Sequence, residues 1–415
     1  MSFDRDHFRS IEQFFGVDWL EKESAKYRHK LEQGVRRGFM DDRAKHRTHP
    51  VVRLWCKHIL GQPEPADWVL TGQAKVDGVA QQIHRMLHLE FLLKELIPSW
   101  NAEELQEVRE RLMNRPQFAA TLYELSVLAN FRRTGYDFRL MTQKGKSGRI
   151  PDISGRVGDT PIRVECKRLS TQAEHRRKRD RAWKNEAEAL AKELRRQHRT
   201  GIVIVEYFDE PGSTDVDTAL ELLNDALNLG RPYVREASGR FAIHLHLEPV
   251  QGAPEIKGLS SSWREFNLLH VDGVREITDH GARFEKLVAI GFVFRPPTDW
   301  SGGVLRILRE AHKKFKRKHC NIVCLEIADL PSFRSLEEFG LVFTAIERFL
   351  ARDTQRVSCV VLTVYGIKPP SQGIYETVTE SKVFLNWRAY VPLPKQFELP
   401  KFAWPSHRVR VSTSE

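Results

Sequence analysis

The chain of 415 residues has room for two or three domains, and 41% hydrophobic with 29% charged residues is an ordinary balance for a folded protein that needs no staples. Lys and Arg number 66 against 55 Asp and Glu, and the formal net charge of +11 favours polyanionic partners. The longest apolar runs fall far short of the roughly 20 residues needed to cross a bilayer. The polar start Met1-Ser2-Phe3-Asp4-Arg5-Asp6 does not resemble a secretory signal. Cys56, Cys166, Cys320, Cys324 and Cys359 are odd in number and mostly sit in apolar runs, which suits free thiols and a cytoplasmic location.

Residues 1–115 are expected to form a helical N-terminal region. Val79, Ile83, Met86, Leu87, Phe91 and Leu96 recur at helical spacing. Asn101 before Glu103 and Glu104 marks a helix start, with the end due before Pro116. Arg36, Arg37, Arg43, Lys45 and Arg47 form a basic stretch that suits either phosphate contact or, in the favoured reading, a solvated surface. A helix is expected over 118–133, closed by Gly135 in the left-handed conformation. Extended segments follow at 136–142 and 150–157, then a turn at Gly158-Asp159 and an alternating strand from Ile162 to Lys167. A long helix at 171–198 and a buried strand at 202–208 complete a mixed α/β core over 116–250. Residues 251–415 read as a C-terminal α/β region: strands at 284–294, 321–327 and 358–364, helices at 304–315 and 336–351. Sequence leaves open whether this region extends the first sheet or builds its own.

The chemistry concentrates on the hairpin. Glu165 and Lys167 are two apart on one strand and share a face. Pairing about Gly158-Asp159 sets Val157 near Pro161 and brings Asp152 opposite residues 164–168, so two carboxylates and an ammonium converge at one sheet edge. Asp152, Glu165 and the Cys166 carbonyl form a hard oxygen set suited to a divalent cation. Such an ion polarises a phosphodiester and yields hydroxide near neutral pH, while Lys167 orients or deprotonates water or offsets developing charge. A surface hairpin with scattered charges is the plainer alternative.

Pro151-Asp152, followed by a strand ending Val164-Glu165-Cys166-Lys167, resembles the PD-(D/E)xK nuclease superfamily, over roughly residues 116–208. The resemblance implies a restriction-endonuclease-like fold, Mg2+ or Mn2+ dependence and phosphodiester cleavage. It also implies a further acidic residue on the preceding helix, a place that Glu124 fills as a catalytic and metal-binding candidate. Restriction or phage defence is suggested by family analogy alone.

The helix after this strand carries Arg176, Arg177, Lys178, Arg179, Arg181 and Lys184 beside an apolar stripe of Trp183, Ala187, Leu190 and Leu194. Arg176, Arg177, Lys178, Arg181 and Lys184 are candidate phosphate contacts, set against a solvated face balanced by Glu174, Asp180, Glu186 and Glu188. His244, His246 and Glu248 share zinc spacing but suit the polar face of a strand; His319, Cys320 and Cys324 sit in or beside an apolar run, where the two cysteines share a strand face and suit the core. Gly145-Lys146-Ser147 is no Walker motif, because Leu140 stands where the first glycine is needed. The expectation is a metal-dependent DNA endonuclease that acts as a homo-oligomer or with partner proteins of a defence system. An RNA nuclease and a non-catalytic nucleic-acid-binding protein on the same fold are the competing readings.

Overall fold

The computed structural model describes residues 8–36, 39–41, 48–61, 72–141, 150–169, 175–209, 211–212, 215–247, 268–278, 281–294, 300–327, 339–367, 374–400 and 408–410. In chain order the first part supplies α1 (Arg9–Phe15), α2 (Val17–Arg36), β1 (Phe39–Asp41), α3 (Pro50–His58), α4 (Gly72–Leu96), α5 (Ala102–Met113) and α6 (Arg115–Arg132). Then come β2 (Arg139–Leu140), β3 (Ile153–Val157), β4 (Thr160–Leu169), α7 (His175–Arg196), β5 (Gly201–Tyr207), α8 (Asp215–Asn228), β6 (Tyr233–Arg235), β7 (Phe241–His246), β8 (Leu268–Thr278) and β9 (Gly281–Phe294). The last part holds α9 (Trp300–His312), β10 (Cys320–Ile327), α10 (Phe339–Arg348), β11 (Cys359–Ile367), β12 (Ile374–Leu385) and β13 (Arg408–Arg410).

Local chemistry sets the boundaries around the hairpin. Asn101 caps α5 with a capping box: its side chain accepts from Glu104 N at 2.9 Å, and its own N–H donates to Glu104 Oε2 at 3.1 Å. Pro116 falls in the first turn of α6, where no amide donor is needed. Gly135 follows that helix with φ +84°, the left-handed conformation expected of it. Every residue of α6 from Tyr123 to Phe131 is buried, because the helix lies between the N-terminal helices and the sheet. Gly155 on β3 sits against the ring of Phe138, and a Cβ there would come within 2.4 Å of Cδ1.

Two mixed sheets result. One runs β13-β12-β11-β10-β4-β3-β2 and the other β1-β8-β9-β5-β7-β6. In the first, β3 and β4 pair antiparallel with Ile153 opposite Val164 and Val157 opposite Thr160. The turn is therefore one residue tighter than the expected Val157–Pro161 pairing, with Gly158 at φ +55°. β10 lies parallel to β4 and to β11, and all eight of its residues are buried, as befits a central parallel strand.

This topology corrects the expected composition of the core. The strand that follows β4 in the sheet is β10, whereas the segment expected to fill that place became β5 of the other sheet. Helix α7 goes with it: Trp183, Ala187, Leu190, Ala191 and Leu194 pack on Val203, Val205, Val288, Ile290 and Phe292. The helix that takes its expected place against β4 is α9, where Gly303 lies against Leu169 and Val304 and Leu308 join Val323 and Leu325. The order α6-β2-β3-β4-α9-β10 is thus interrupted between β4 and α9 by the elements of the second sheet. Both divisions drawn from sequence, at 115 and 250, are crossed by a sheet, since β1 joins the second and β10 the first. The C-terminal region is divided between the sheets: β8 and β9 join the second, while β10, β11, β12 and β13 extend the first.

The largest apolar cluster joins the two sheets. Ile162, Val164 and Cys166 of the first share it with Ile202, Ile204 and Ala289 of the second through Leu20, Tyr27, Leu89, Leu93 and Leu128. The N-terminal helices therefore fill the space between the sheets. Among the described residues no helix is long and apolar enough to cross a membrane.

Candidate active site

The site forms where β3 stops short of its partner. Register continues from Ile153–Val164 to place Asp152 level with Glu165, one residue before β3 begins. Asp152 N donates to Val164 O at 3.1 Å, and Met141 N donates to Asp152 O at 2.8 Å. Its side chain then does what the missing strand would have done: Oδ2 accepts from Cys166 N at 2.7 Å. In an extended strand one residue's N–H and C=O point to the same edge, so the Cys166 carbonyl faces the edge that β3 vacates. The Cys166 thiol is buried, and that burial pushes its pKa well up.

Glu165 lies on the opposite face of β4 from Cys166, fully buried. One oxygen, Oε1, is 2.8 Å from Lys167 Nζ and 2.7 Å from Lys314 Nζ, while Oε2 has no hydrogen-bond partner among the described residues. Burial and the nearby Asp152 raise the Glu165 carboxyl above its ordinary value, against the pull of both lysines. For Lys167, burial works against the charge, but Glu165 outweighs it and the pKa rises. Lys167 is therefore an ammonium at neutral pH.

Glu124 reaches the same place from α6. It is 7% exposed and ion-paired with Arg111 of α5. Burial first, and Asp152 second, lift its pKa to about 7 even though Arg111 pulls the other way. Arg111 in turn is held charged by Glu124 and Asp152 against its own burial. Three carboxylates and three cations thus meet across the end of the hairpin.

All four catalytic candidates come together, with two additions. Lys314, just beyond α9, belongs to the run Lys313-Lys314-Phe315-Lys316-Arg317-Lys318, whose charge density was its one sequence signal. Arg111 carried none: a lone arginine in the last turn of a helix is ordinary. Of the phosphate-contact candidates, Lys184 pairs with Glu188 at 3.2 Å, and the side chains of Arg176, Arg177, Lys178 and Arg181 lie outside the described ones. His244 bonds to Glu206 Oε2 at 3.0 Å, while Glu248 lies outside the described residues. All five cysteines are free and buried, and Cys320 and Cys324 are core residues, as expected of them.

Among the described residues, no three His, Cys, Asp or Glu side chains are arranged to hold an ion together. Glu124 is turned to Arg111, which leaves two carboxylates and a main-chain carbonyl. The orphaned Glu165 Oε2 and this hard-oxygen set fit a divalent cation with water completing its shell. Comparison with protein-family models, with curated proteins and with solved structures finds no match.

Proposed function

We propose that the chain is a metal-dependent endonuclease hydrolysing phosphodiester bonds of DNA, on a core of the PD-(D/E)xK, restriction-endonuclease-like type. What carries the reading is the junction of Asp152 with Glu165 and Lys167: a carboxylate on the Cys166 amide, level with a buried carboxylate whose neighbour is an ammonium. The order α6-β2-β3-β4-α9-β10, with β10 parallel to β4, supports the same fold.

Asp152, Glu165 and the Cys166 carbonyl would hold Mg2+ or Mn2+, with Glu124 at the margin. Such an ion supplies Lewis acidity and a water of lowered pKa. The chain's own part is electrostatic. Lys167 is charged at neutral pH, so it serves by offsetting charge on the phosphate oxygens and orienting water rather than by accepting a proton. Lys314 adds a second ammonium at the same carboxylate. Arg111 keeps Glu124 from adding an uncompensated charge.

One observation favours the non-catalytic reading: Glu165 and Glu124 are already matched by three cations, as in a structural charge cluster. Incubating plasmid, linear DNA and RNA with protein, with and without Mg2+ or Mn2+, separates the readings. Metal-dependent cutting of DNA is expected. Cutting of RNA alone moves the substrate, and binding without cutting supports the scaffold. A role in restriction or phage defence, with partner proteins or a homo-oligomer, is the biological setting this activity suits.

A further inference from the structure

Three loops meet at the end of the first sheet nearest the start of β10. They are residues 313–319, 354–358 and 386–391. Together they contain Lys313, Lys314, Lys316, Arg317, Lys318, Arg356 and Arg388, and no Asp or Glu. Asp353, next to them, is engaged by Arg309 at 3.5 Å. His319 has its pKa lowered by burial first and then by Arg163, Lys318 and Lys316.

The loops are fastened from beneath by three buried polar side chains. Asn321 Nδ2 donates to the carbonyls of Lys316 at 2.9 Å and Arg356 at 2.7 Å. Asn386 Nδ2 donates to Thr354 O at 3.0 Å and Val357 O at 2.8 Å, and its Oδ1 accepts from Arg388 N at 3.0 Å. Ser358 Oγ donates to Val391 O at 2.6 Å. Buried side-chain donors bonded to loop carbonyls in this way fix backbone geometry.

What the fastened loops present is aromatic. Trp387 is 84% exposed and Tyr390 48% exposed. Arg388 lies over the Trp387 ring at 5.8 Å, and Arg317 over the Tyr390 ring at 5.2 Å. A singly exposed apolar residue is ordinary, but here an exposed tryptophan and an exposed tyrosine stand together on hydrogen-bonded loops among cations. The platform is tied to the candidate active site, because its first loop also supplies Lys314 to Glu165. Register runs from Leu385 through Cys359 and Ile322 to Val164. Three strand spacings put the two regions about 14 Å apart laterally, within reach of one short stretch of strand.

We propose that residues 313–319 and 386–391 form a binding platform for single-stranded nucleic acid, with Trp387 and Tyr390 stacking on unpaired bases and Arg317 and Arg388 meeting the backbone. Stacked bases with backbone cations are how sequence-indifferent single-strand sites work, and a base-paired duplex offers such rings only at its ends. This rests on the proposed nuclease reading and adds to it a preference for nucleic acid with an unpaired segment beside the scissile bond.

The test is binding in chelator, so it does not depend on cleavage. A labelled oligothymidylate, its oligouridylate counterpart and a hairpin-capped duplex are titrated with wild type, Trp387→Ala, Trp387→Phe and Arg317→Gln/Arg388→Gln. Trp387→Ala should weaken single-strand binding about tenfold. Its duplex affinity should not change, and Trp387→Phe should stay near wild type. The arginine pair should flatten the salt slope by about 1 to 2 units. The proposal is overturned if wild type binds neither oligonucleotide, if Trp387→Ala keeps wild-type affinity, or if it loses duplex and single strand alike. It is also overturned if sedimentation shows a self-associated form that Trp387→Ala disperses while single-strand binding is untouched. Single-strand binding by a protein that cuts nothing would keep the platform and sink the nuclease reading instead.

Discussion

Replacing Glu124 by Gln should stabilise the protein in chelator, by an amount that grows with pH. The Glu124 carboxyl is 7% exposed and its pKa is raised to about 7, by burial first and by Asp152 second. Between the unfolded value near 4.5 and this folded value, the folded chain holds a proton that the unfolded chain has released. Stability from this group is therefore greatest at low pH and falls as pH rises through that window. Gln mimics the protonated carboxyl in both states and removes the dependence. The advantage of Glu124→Gln is about 1 kcal/mol near pH 5 and about 3 kcal/mol near pH 8. Arg111 keeps a neutral acceptor in the variant. Urea unfolding of both proteins at the two pH values measures the difference. If Glu124→Gln is weaker than wild type by the same amount at both, Glu124 is an anchor for Arg111, and the crowding of carboxylates at the site is not what governs it.

Asp152→Asn keeps an acceptor for the Cys166 amide, so it should melt at or above wild type in chelator. It should also gain less than wild type from manganese, where a hundredfold excess over Kd is worth about 2.7 kcal/mol to a competent site; an equal gain would place the ion elsewhere. Lys314→Met leaves Glu165 with one ammonium instead of two, so its melting temperature should drop in chelator while its apparent manganese affinity rises. Unchanged manganese affinity would show that Lys314 does not compete for that carboxylate. Neutralising Arg177 and Arg181 together should weaken binding to unrelated DNA sequences equally and flatten the salt slope by about 1 to 2 units. An unaltered slope returns that helix to a solvated surface.

The hairpin and its charges were legible because each depends on neighbours in sequence. Alternation in β4, the glycine turn and the two-residue spacing of Glu165 and Lys167 are all local, and the Asn101 cap and Gly135 stop were equally plain. The partner of β4 was not legible. The segment at 202–208 and the segment at 321–327 are both short apolar strands preceded by helices, and periodicity cannot rank them. Only the fold shows that β5 belongs with β9 and β7, and that β10 belongs with β4. Lys314 was hidden for the same reason, since it reaches Glu165 only through the placement of α9 and β10. β1 was missed because three residues between helices carry too little pattern. The Trp387 platform was missed because its binding residues come from loops whose meeting is decided by Asn321, Ser358 and Asn386.

The central claim is that Asp152 and Lys167 act together on a phosphodiester. The most direct measurement is conversion of supercoiled plasmid, with manganese or magnesium, by wild type, Asp152→Asn and Lys167→Met, each first shown by melting to be folded. Wild type should nick or linearise the plasmid only with metal, and both variants should lose most of that rate while still binding DNA. Cutting by folded Asp152→Asn at the wild-type rate, or cutting by wild type that chelator does not stop, would contradict the account.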